Sequence, residues 1–553
     1  MSNDQHWAEI AADKLIAVSQ PEQVLFTVAS GMTPSGQMHI GHFREVMTTW
    51  LVKNALEDRG KKTRFILSWD DFDVFRKVPA DMPNQEYLTE QLRKSISDVY
   101  ISPMGQHYTN IHQTYADLHS SAFELSLAKM NIVPTYIHQS DKYKSGDYGK
   151  DILLALKNKD AIRAILNKYR KEPLPDEWTP LVGFCDQCGK DNIEIWHLDT
   201  GPSPEEGDQK FRKECFDCGH VSNNLFEDET NIKLPWRIDW SMRWAYEGVD
   251  FEPGGKDHSS DGGSYDTGKD IVKLFGGKAP QYLGYNFIKA KGQGGKLSSS
   301  AGNLITLDDA LEVYEPEIIK WMFASYRPNA EFQISFDTDV IKLYGEYDKA
   351  LALALKEDVT SKAATRQKLA RKIFKLTKNS NESVLPSFKE LSMTLQIYSG
   401  DIEKTAIWHE ADIRSTMDYE ILNDLDFHGR LRRRLQCVAN WLEKYAPEEL
   451  KYQIRETPTK QNLTEEVRLM LTKFCNHLVR VRDLDDKKID LRTICEGTSL
   501  DLKEFSKIIY ELIMGRENGP PIPTLIQTIY YLKWISLIEP SLDGRMIINS
   551  AGE

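Results

Sequence analysis

An α/β protein with a Rossmann-type parallel sheet, a zinc-binding insertion and an all-α C-terminal domain is what three features of the sequence predict. A strand, a helix and a second strand follow one another within residues 24–69, and two Cys-x-x-Cys pairs sit in a polar segment between 146 and 230. From about residue 340 onward the apolar spacing is helical. The 553 residues exceed what one hydrophobic core organises, so about three to four domains are expected.

The first strand is the short apolar run from Val24 to Ala29, which ends at Ser30-Gly31. After Pro34-Ser35-Gly36 a helix begins near Ile40, with Phe43, Val46, Met47, Trp50, Leu51 and Ala55 recurring at helical spacing. Thr63 to Trp69 is the next strand. Such a βαβ unit implies parallel pairing and a right-handed crossover. Ligands of these sheets bind beyond the C-terminal ends of the strands, where Gly31 to His42 lies.

The segment 146–230, rich in Lys, Asp, Pro and Gly, breaks this rhythm and reads as an insertion. Strands and helices alternate again from Leu234, and Pro280 to Ile288 is the last strand region expected. Helices are predicted over Leu351–Lys356, Arg366–Lys378, Arg430–Tyr445, Thr464–Arg482 and Leu502–Met514. The resulting division is 1–145 and 231–290 for the two halves of the sheet domain, 146–230 for the insertion, 291–345 for a connecting region and 346–553 for the helical domain.

Cys185-x-x-Cys188 and Cys215-x-x-Cys218 are separated by 26 residues, the arrangement of a zinc ribbon in which four thiolates give a closed tetrahedral, structural site. His197 and His220 lie nearby and leave a His-for-Cys exchange or a second metal open. Cys437, Cys475 and Cys495 are scattered, so the seven cysteines form no disulfide framework. With 41% hydrophobic and 28% charged residues, no apolar stretch of membrane-span length and no basic n-region, the composition is that of a globular cytoplasmic protein. A net charge of -13 neither requires nor excludes a nucleic-acid partner.

Between the first strand and helix, Gly31-Met32-Thr33-Pro34-Ser35-Gly36 leads into His39-Ile40-Gly41-His42. Small and hydroxyl residues at a helix N-terminus suit phosphate: backbone N–H groups and the helix dipole favour an anion, and two imidazoles three residues apart share a face. An isolated HxxH is an ordinary helix cap. Here it has a second anchor, Lys296-Leu297-Ser298-Ser299-Ser300, in the Gly-rich stretch Lys291-Gly292-Gln293-Gly294-Gly295, where a lysine and several hydroxyls are available to a polyphosphate.

These two stretches resemble the HIGH and KMSKS signatures of class I aminoacyl-tRNA synthetases. With Ser68-Trp69-Asp70-Asp71-Phe72-Asp73, Trp236-Arg237-Ile238-Asp239-Trp240 and Gly255-Lys256-Asp257-His258, the similarity narrows to the class I lysyl-tRNA synthetases over residues 20–340. The resemblance implies His39, His42 and Lys296 as catalytic residues. It implies ATP binding by Thr33, Ser35, His39, Gly41, His42, Lys296, Ser298 and Ser299, and lysine binding by Gly31, Thr33, Trp236 and His258. ATP with Mg²⁺, L-lysine and tRNA(Lys) are the implied reactants, Zn²⁺ the implied structural ion, and a monomer the favoured state.

In that family the insertion is the connective, acceptor-stem region, residues 291–345 are the KMSKS-like loop and stem-contact region, and the C-terminal helices form a cage for the anticodon. The chain departs from the pattern at Ser299, which stands where a second lysine is usual, so Lys289 or Lys291 could share the task of Lys296. A lysine pocket needs aromatic walls, for which Trp236, Trp240, Tyr265 and Tyr285 are available, and a carboxylate, for which Asp70, Asp73, Asp257 and Asp261 are. Arg430, Arg432, Arg433, Arg434, Arg480 and Arg482 could meet RNA phosphates. A glutamate-specific synthetase and a non-catalytic tRNA-binding paralogue are the competing readings.

Overall fold

The computed structural model describes residues 5–102, 114–199, 209–258, 262–291, 304–357, 363–379, 384–416, 425–480 and 491–544. The chain forms two compact units, the first made of 1–311, 316–335 and 353–380, the second of 312–315, 336–352 and 381–553.

The first unit begins with strand β1 (Leu25–Met32), helix α1 (Ile40–Glu57) and strand β2 (Lys62–Trp69), followed by β3 (Thr135–His138). An inserted antiparallel meander comprises β4 (Ile193–Asp199), β5 (Gln209–Cys215) and β6 (Val221–Leu225). Helix α2 (Trp236–Glu247) returns the chain to the sheet through β7 (Val249–Gly255), α3 (Ser264–Leu274) and β8 (Gln281–Tyr285). The sheet order is β8-β7-β1-β2-β3, and every neighbouring pair is parallel. Central β1 is buried on both faces, with Phe26 and Val28 on one and Thr27 and Ala29 on the other, as expected of a strand covered on each side.

The register brings the future site to one edge. Gly31 lies opposite Ser68 and Met32 opposite Trp69, while Gly255 pairs with Tyr285. The strand region expected up to Ile288 is in fact two elements, β8 and β9 (Ile288–Ala290). β9 pairs in parallel with β10 (Phe332–Ile334), a strand the sequence pattern did not reveal because its few residues carry no periodicity.

The insertion is less self-contained than its polar composition suggests. Tyr148, Ile152, Leu156, Leu181, Phe184, Ile195 and Phe211 form one buried cluster with Phe72, Tyr143, Leu234 and Ile238 of the sheet domain. Its apolar side chains are therefore covered by the sheet domain and not by the insertion alone.

The second unit is helical among its described residues. Its elements include Phe388–Ile397, Leu425–Lys444, Glu465–Arg480, Leu502–Met514 and Tyr531–Ile538. Met470, Leu471, Phe474, Phe505, Leu512, Leu525 and Trp534 form one of its cores. No helix among the described residues is long and apolar enough to cross a membrane.

The arginines of Leu425–Lys444 correct the expectation of an RNA-facing row. Arg430 and Arg434, one helical turn apart, are buried. Arg434 pairs with Glu315 at 2.7 Å and Asp348 at 3.0 Å, and Arg432 is held by Glu403 and Glu410. Arg433 and Arg480 are exposed, and Arg482 lies outside the described residues. Removing Arg434 would take away a buried cation that Glu315 and Asp348 both face. Arg434→Leu is expected to cost the second unit about 3–5 kcal/mol, read as a lower urea midpoint, and replacing Arg434, Glu315 and Asp348 together by apolar residues should recover much of it.

Candidate active site

The loop after β1 enters α1 through a reciprocal cap. His39 is extended and accepts the Gly41 N–H at its Nδ1 (3.0 Å), while His42 Nδ1 accepts the His39 N–H (3.1 Å). The rings lie 3.9 Å apart. A ring nitrogen that accepts carries no proton, so in each neutral imidazole the N–H is placed on Nε2. The cap thereby leaves Nε2 as the donor nitrogen of both histidines. Gly41 is required by the close approach: a Cβ there would sit 2.6 Å from His39 Cε1 and 2.7 Å from its Nδ1.

The backbone expectation is corrected at the same place. The Ile40 N–H donates to the Ile305 carbonyl (2.8 Å), the Gly41 N–H to the His39 ring and the His42 N–H to the His39 carbonyl (2.9 Å). The first-turn donors that would have met a phosphate are thus committed within the protein, and the imidazole Nε2–H groups are the donors the cap supplies. The Ile40–Ile305 bond and a bridge between His39 and Thr306 hold the chain that follows Asn303 against the start of α1. Lys296, Ser298 and Ser299 lie outside the described residues. Of the alternative lysines, Lys289 is paired with Glu331 at 2.7 Å, and the Lys291 N–H donates to the Ile334 carbonyl.

Thr33 and Ser35 line a cleft of about 2240 Å³ together with Phe72, Asp73, Lys233 and Trp236, and the cleft continues to Trp178 and Trp196 of the insertion. Tyr115 donates to the Ser35 carbonyl (3.0 Å), and Thr33 donates to Asp73 Oδ2 (3.3 Å). Trp236 and Trp240, one turn apart on α2, stack at 5.2 Å with planes 14° apart, and the His258 ring is 6.0 and 5.8 Å from them. Of the residues expected to bind one ligand, Thr33 and Trp236 share the cleft, Trp236 and His258 adjoin each other, and Gly31 lies at the sheet edge two residues before Thr33.

The acidic groups divide into two classes. Asp70 pairs with buried Arg243 (2.7 Å), which also holds Asp239 (3.0 Å); burial nevertheless pushes the Asp70 carboxyl up to about 6. Asp73 pairs with buried Lys233 (2.7 Å). Both of these aspartates are therefore already compensated. Asp261 and the side chain of Asp257 lie outside the described residues.

Glu45 and Glu252 are different. Glu45 accepts the Gly31 N–H (2.9 Å) and the Tyr285 hydroxyl (2.6 Å), and burial pushes its carboxyl up to about 8. Glu252 accepts the indole N–H groups of Trp240 (3.0 Å) and Trp244 (2.6 Å), its carboxyl is also raised by burial, and its Oε1 would be 3.7 Å from a Cβ at Gly31. Sequence reasoning passed over both. Glu45 reads as a solvated helix residue, although its position one turn after His42 was a signal. Glu252, with Asp250 one of two acids in the otherwise apolar or small stretch from Val249 to Gly255, was the clearer one.

In the insertion, the four cysteine Sγ atoms lie within 4.8 Å of one another, with Cys185–Cys218 at 3.7 Å and Cys188–Cys215 at 3.6 Å. A tetrahedron of ligands about 2.3 Å from its centre has edges of about 3.8 Å, so the four thiols fit a metal of zinc's size. Each knuckle closes on a left-handed glycine, Gly189 (φ 73°) or Gly219 (φ 71°). Among the described residues the cluster comprises these cysteines without His197 or His220.

Residues 5–380 match the family of tRNA synthetases class I (K). The chain belongs to this family. It is 38% identical over 543 residues to a lysine–tRNA ligase from Borreliella burgdorferi, with 95% of this chain and 97% of that one covered. A lysine–tRNA ligase from Thermococcus kodakarensis is 36% identical at the same coverages, and one from Treponema pallidum is 35% identical, with 95% and 96% covered.

The cap makes a specific claim for a synthetase of this class. Gly41→Ala should displace the His39 ring and lower amino-acid-dependent exchange of pyrophosphate into ATP by about 100-fold, with circular dichroism unchanged. An exchange rate near that of the unsubstituted chain would show that the close approach has no part in the chemistry.

Proposed function

We propose that this protein is a lysine–tRNA ligase, activating L-lysine with ATP to lysyl-adenylate and transferring lysine to the 3′ end of tRNA(Lys). The observation that carries this reading is the pair of buried carboxylates beside Gly31. Asp70 and Asp73 are already neutralised by Arg243 and Lys233, whereas Glu45 and Glu252 are bonded to neutral donors, at the end of an aromatic wall formed by Trp236 and Trp240. Such a place favours a ligand that brings its own cation and an aliphatic stem. A glutamate side chain would instead meet two further carboxyl groups, to neither of which a cation is bonded among the described residues, which argues against glutamate. The full-length similarity to lysine–tRNA ligases supports the same substrate.

In this reading the Nε2–H groups of His39 and His42, with Lys296 and the hydroxyls of Ser298 and Ser299, stabilise charge on the phosphates as the lysine carboxylate attacks the α-phosphorus and pyrophosphate leaves. Thr33, Ser35 and Gly41 border the nucleotide. Gly31, Thr33, Trp236 and His258 border the amino acid. ATP arrives with Mg²⁺. A ribose hydroxyl of the tRNA 3′ end then takes the acyl group and AMP leaves, in a cytoplasmic setting.

Cys185, Cys188, Cys215 and Cys218 would hold Zn²⁺, which supplies a cross-link between two knuckles and no reaction chemistry.

Pyrophosphate exchange measured with lysine and with glutamate, each with and without tRNA, tests the reading. Exchange is expected with lysine alone among the two, and its absence under both tRNA conditions sinks the proposal. His42→Ala is expected to abolish exchange while leaving the metal content intact. One zinc per chain is expected by atomic absorption, falling to near zero in Cys188→Ser with Cys215→Ser.

A further inference from the structure

Buried Lys233 and half-buried Asp73 form a relay that ends at the hydroxyl of Thr33, a residue lining the cleft. Lys233, 7% exposed, places its Nζ 2.7 Å from Asp73 Oδ1 and donates to the Phe72 carbonyl at 3.2 Å. Asp73 Oδ2 receives the Thr33 hydroxyl at 3.3 Å. The backbone fixes both members: the Asp73 carbonyl accepts the Ile96 N–H (2.8 Å), and Ile232, next to Lys233, pairs with Gly183.

A carboxylate held by an ammonium group is an acceptor only. The proton shared with Thr33 must then be the hydroxyl's own, and the oxygen of Thr33 is left with lone pairs for anything else it meets. Such an oxygen accepts from N–H donors. It cannot at the same time donate to a carboxylate or a phosphate. Lys233 is itself held protonated, because Asp73, Asp239 and Asp70 offset the desolvation that burial imposes.

We propose that Lys233 and Asp73 are positioning residues that set the polarity of the Thr33 hydroxyl, so that Thr33 accepts a hydrogen bond from an ammonium group of the amino-acid substrate. The relay makes Thr33 a determinant for a cationic amine and removes it from the phosphate donors. The inference rests on the lysine reading above, with Thr33 in the amino-acid site.

Steady-state pyrophosphate exchange on the full chain tests it. Asp73→Asn keeps the shape but supplies an amide that can donate, which lets the Thr33 hydroxyl turn. The KM for lysine should rise by about tenfold to a hundredfold, with the KM for ATP and the melting temperature little changed. Thr33→Val should do the same, Thr33→Ser should retain the unsubstituted value, and the double variant Asp73→Asn with Thr33→Val should be no worse than Thr33→Val alone. Additive losses in the double variant, or a normal lysine KM in Asp73→Asn, would overturn the relay. Should Asp73→Asn fail to fold, the contrast between Thr33→Val and Thr33→Ser decides: equal lysine KM values in the two remove the hydroxyl from recognition. A failure of the lysine reading shows earlier and separately, as absent lysine exchange in the unsubstituted chain.

Discussion

Burying charge at the C-terminal edge of a parallel sheet is the constraint from which the rest of the first unit follows. Buried Asp70 and half-buried Asp73 follow β2, and each is stabilised by a buried cation that the chain returns much later. Arg243 comes from α2 and Lys233 from the residues just before it. These ion pairs join the two halves of the sheet domain across the insertion, in a geometry where an unpartnered charge would be strongly unfavourable. They also define by contrast what is left over. Glu45 and Glu252 are bonded to hydroxyl, amide and indole donors, and among the described residues no cation is bonded to either carboxylate.

The same return of the chain ties the cysteine knuckles to this edge. Phe184, adjacent to Cys185, donates its N–H to the Asn231 carbonyl, two residues before Lys233. On the other side, Arg93 pairs with Asp191 and Asp217, one residue from Cys218, and the Phe75 N–H and carbonyl bond to Lys94 and Arg93. Both members of the Lys233–Asp73 pair therefore sit within a few residues of backbone bonded to a knuckle. A metal that fixed the knuckles would fix the approach of these two side chains as well, which is a reason for a structural site to stand so near a reaction it does not enter.

What could be read from the sequence was what depends on local pattern. The β1–α1–β2 unit followed from two apolar runs and a helical spacing, and Leu502–Met514 was located at its observed bounds for the same reason. The cysteine pairs were legible because ligand spacing is itself local. What depends on long-range pairing was not. Asp70 and Asp73 looked available because their partners lie more than 150 residues away, and Arg430 and Arg434 looked like surface cations because the sequence does not show that both are buried or that Glu315 and Asp348 meet Arg434. Helix Phe388–Ile397 was passed over because its alternating polar residues obscure the buried face of Leu391, Leu395 and Phe388.

The cap on α1 sharpens what the phosphate chemistry has to rely on. A helix N-terminus usually offers its first backbone donors to an anion, but those of Ile40, Gly41 and His42 are used by Ile305 and His39. In the proposed reaction the charge growing on the phosphates would then fall to side chains, namely two imidazoles with fixed tautomers and the lysine and hydroxyls of the stretch after Gly295. That arrangement also suits Ser299. Where a second lysine is missing, the proposed reaction would ask a larger share of the two imidazole N–H groups. Their orientation depends on a glycine that lets the His39 ring lie against the helix backbone. In the proposed reaction the commitment of the backbone donors and the loss of the second lysine would act in the same direction, leaving transition-state stabilisation to His39, His42 and Lys296.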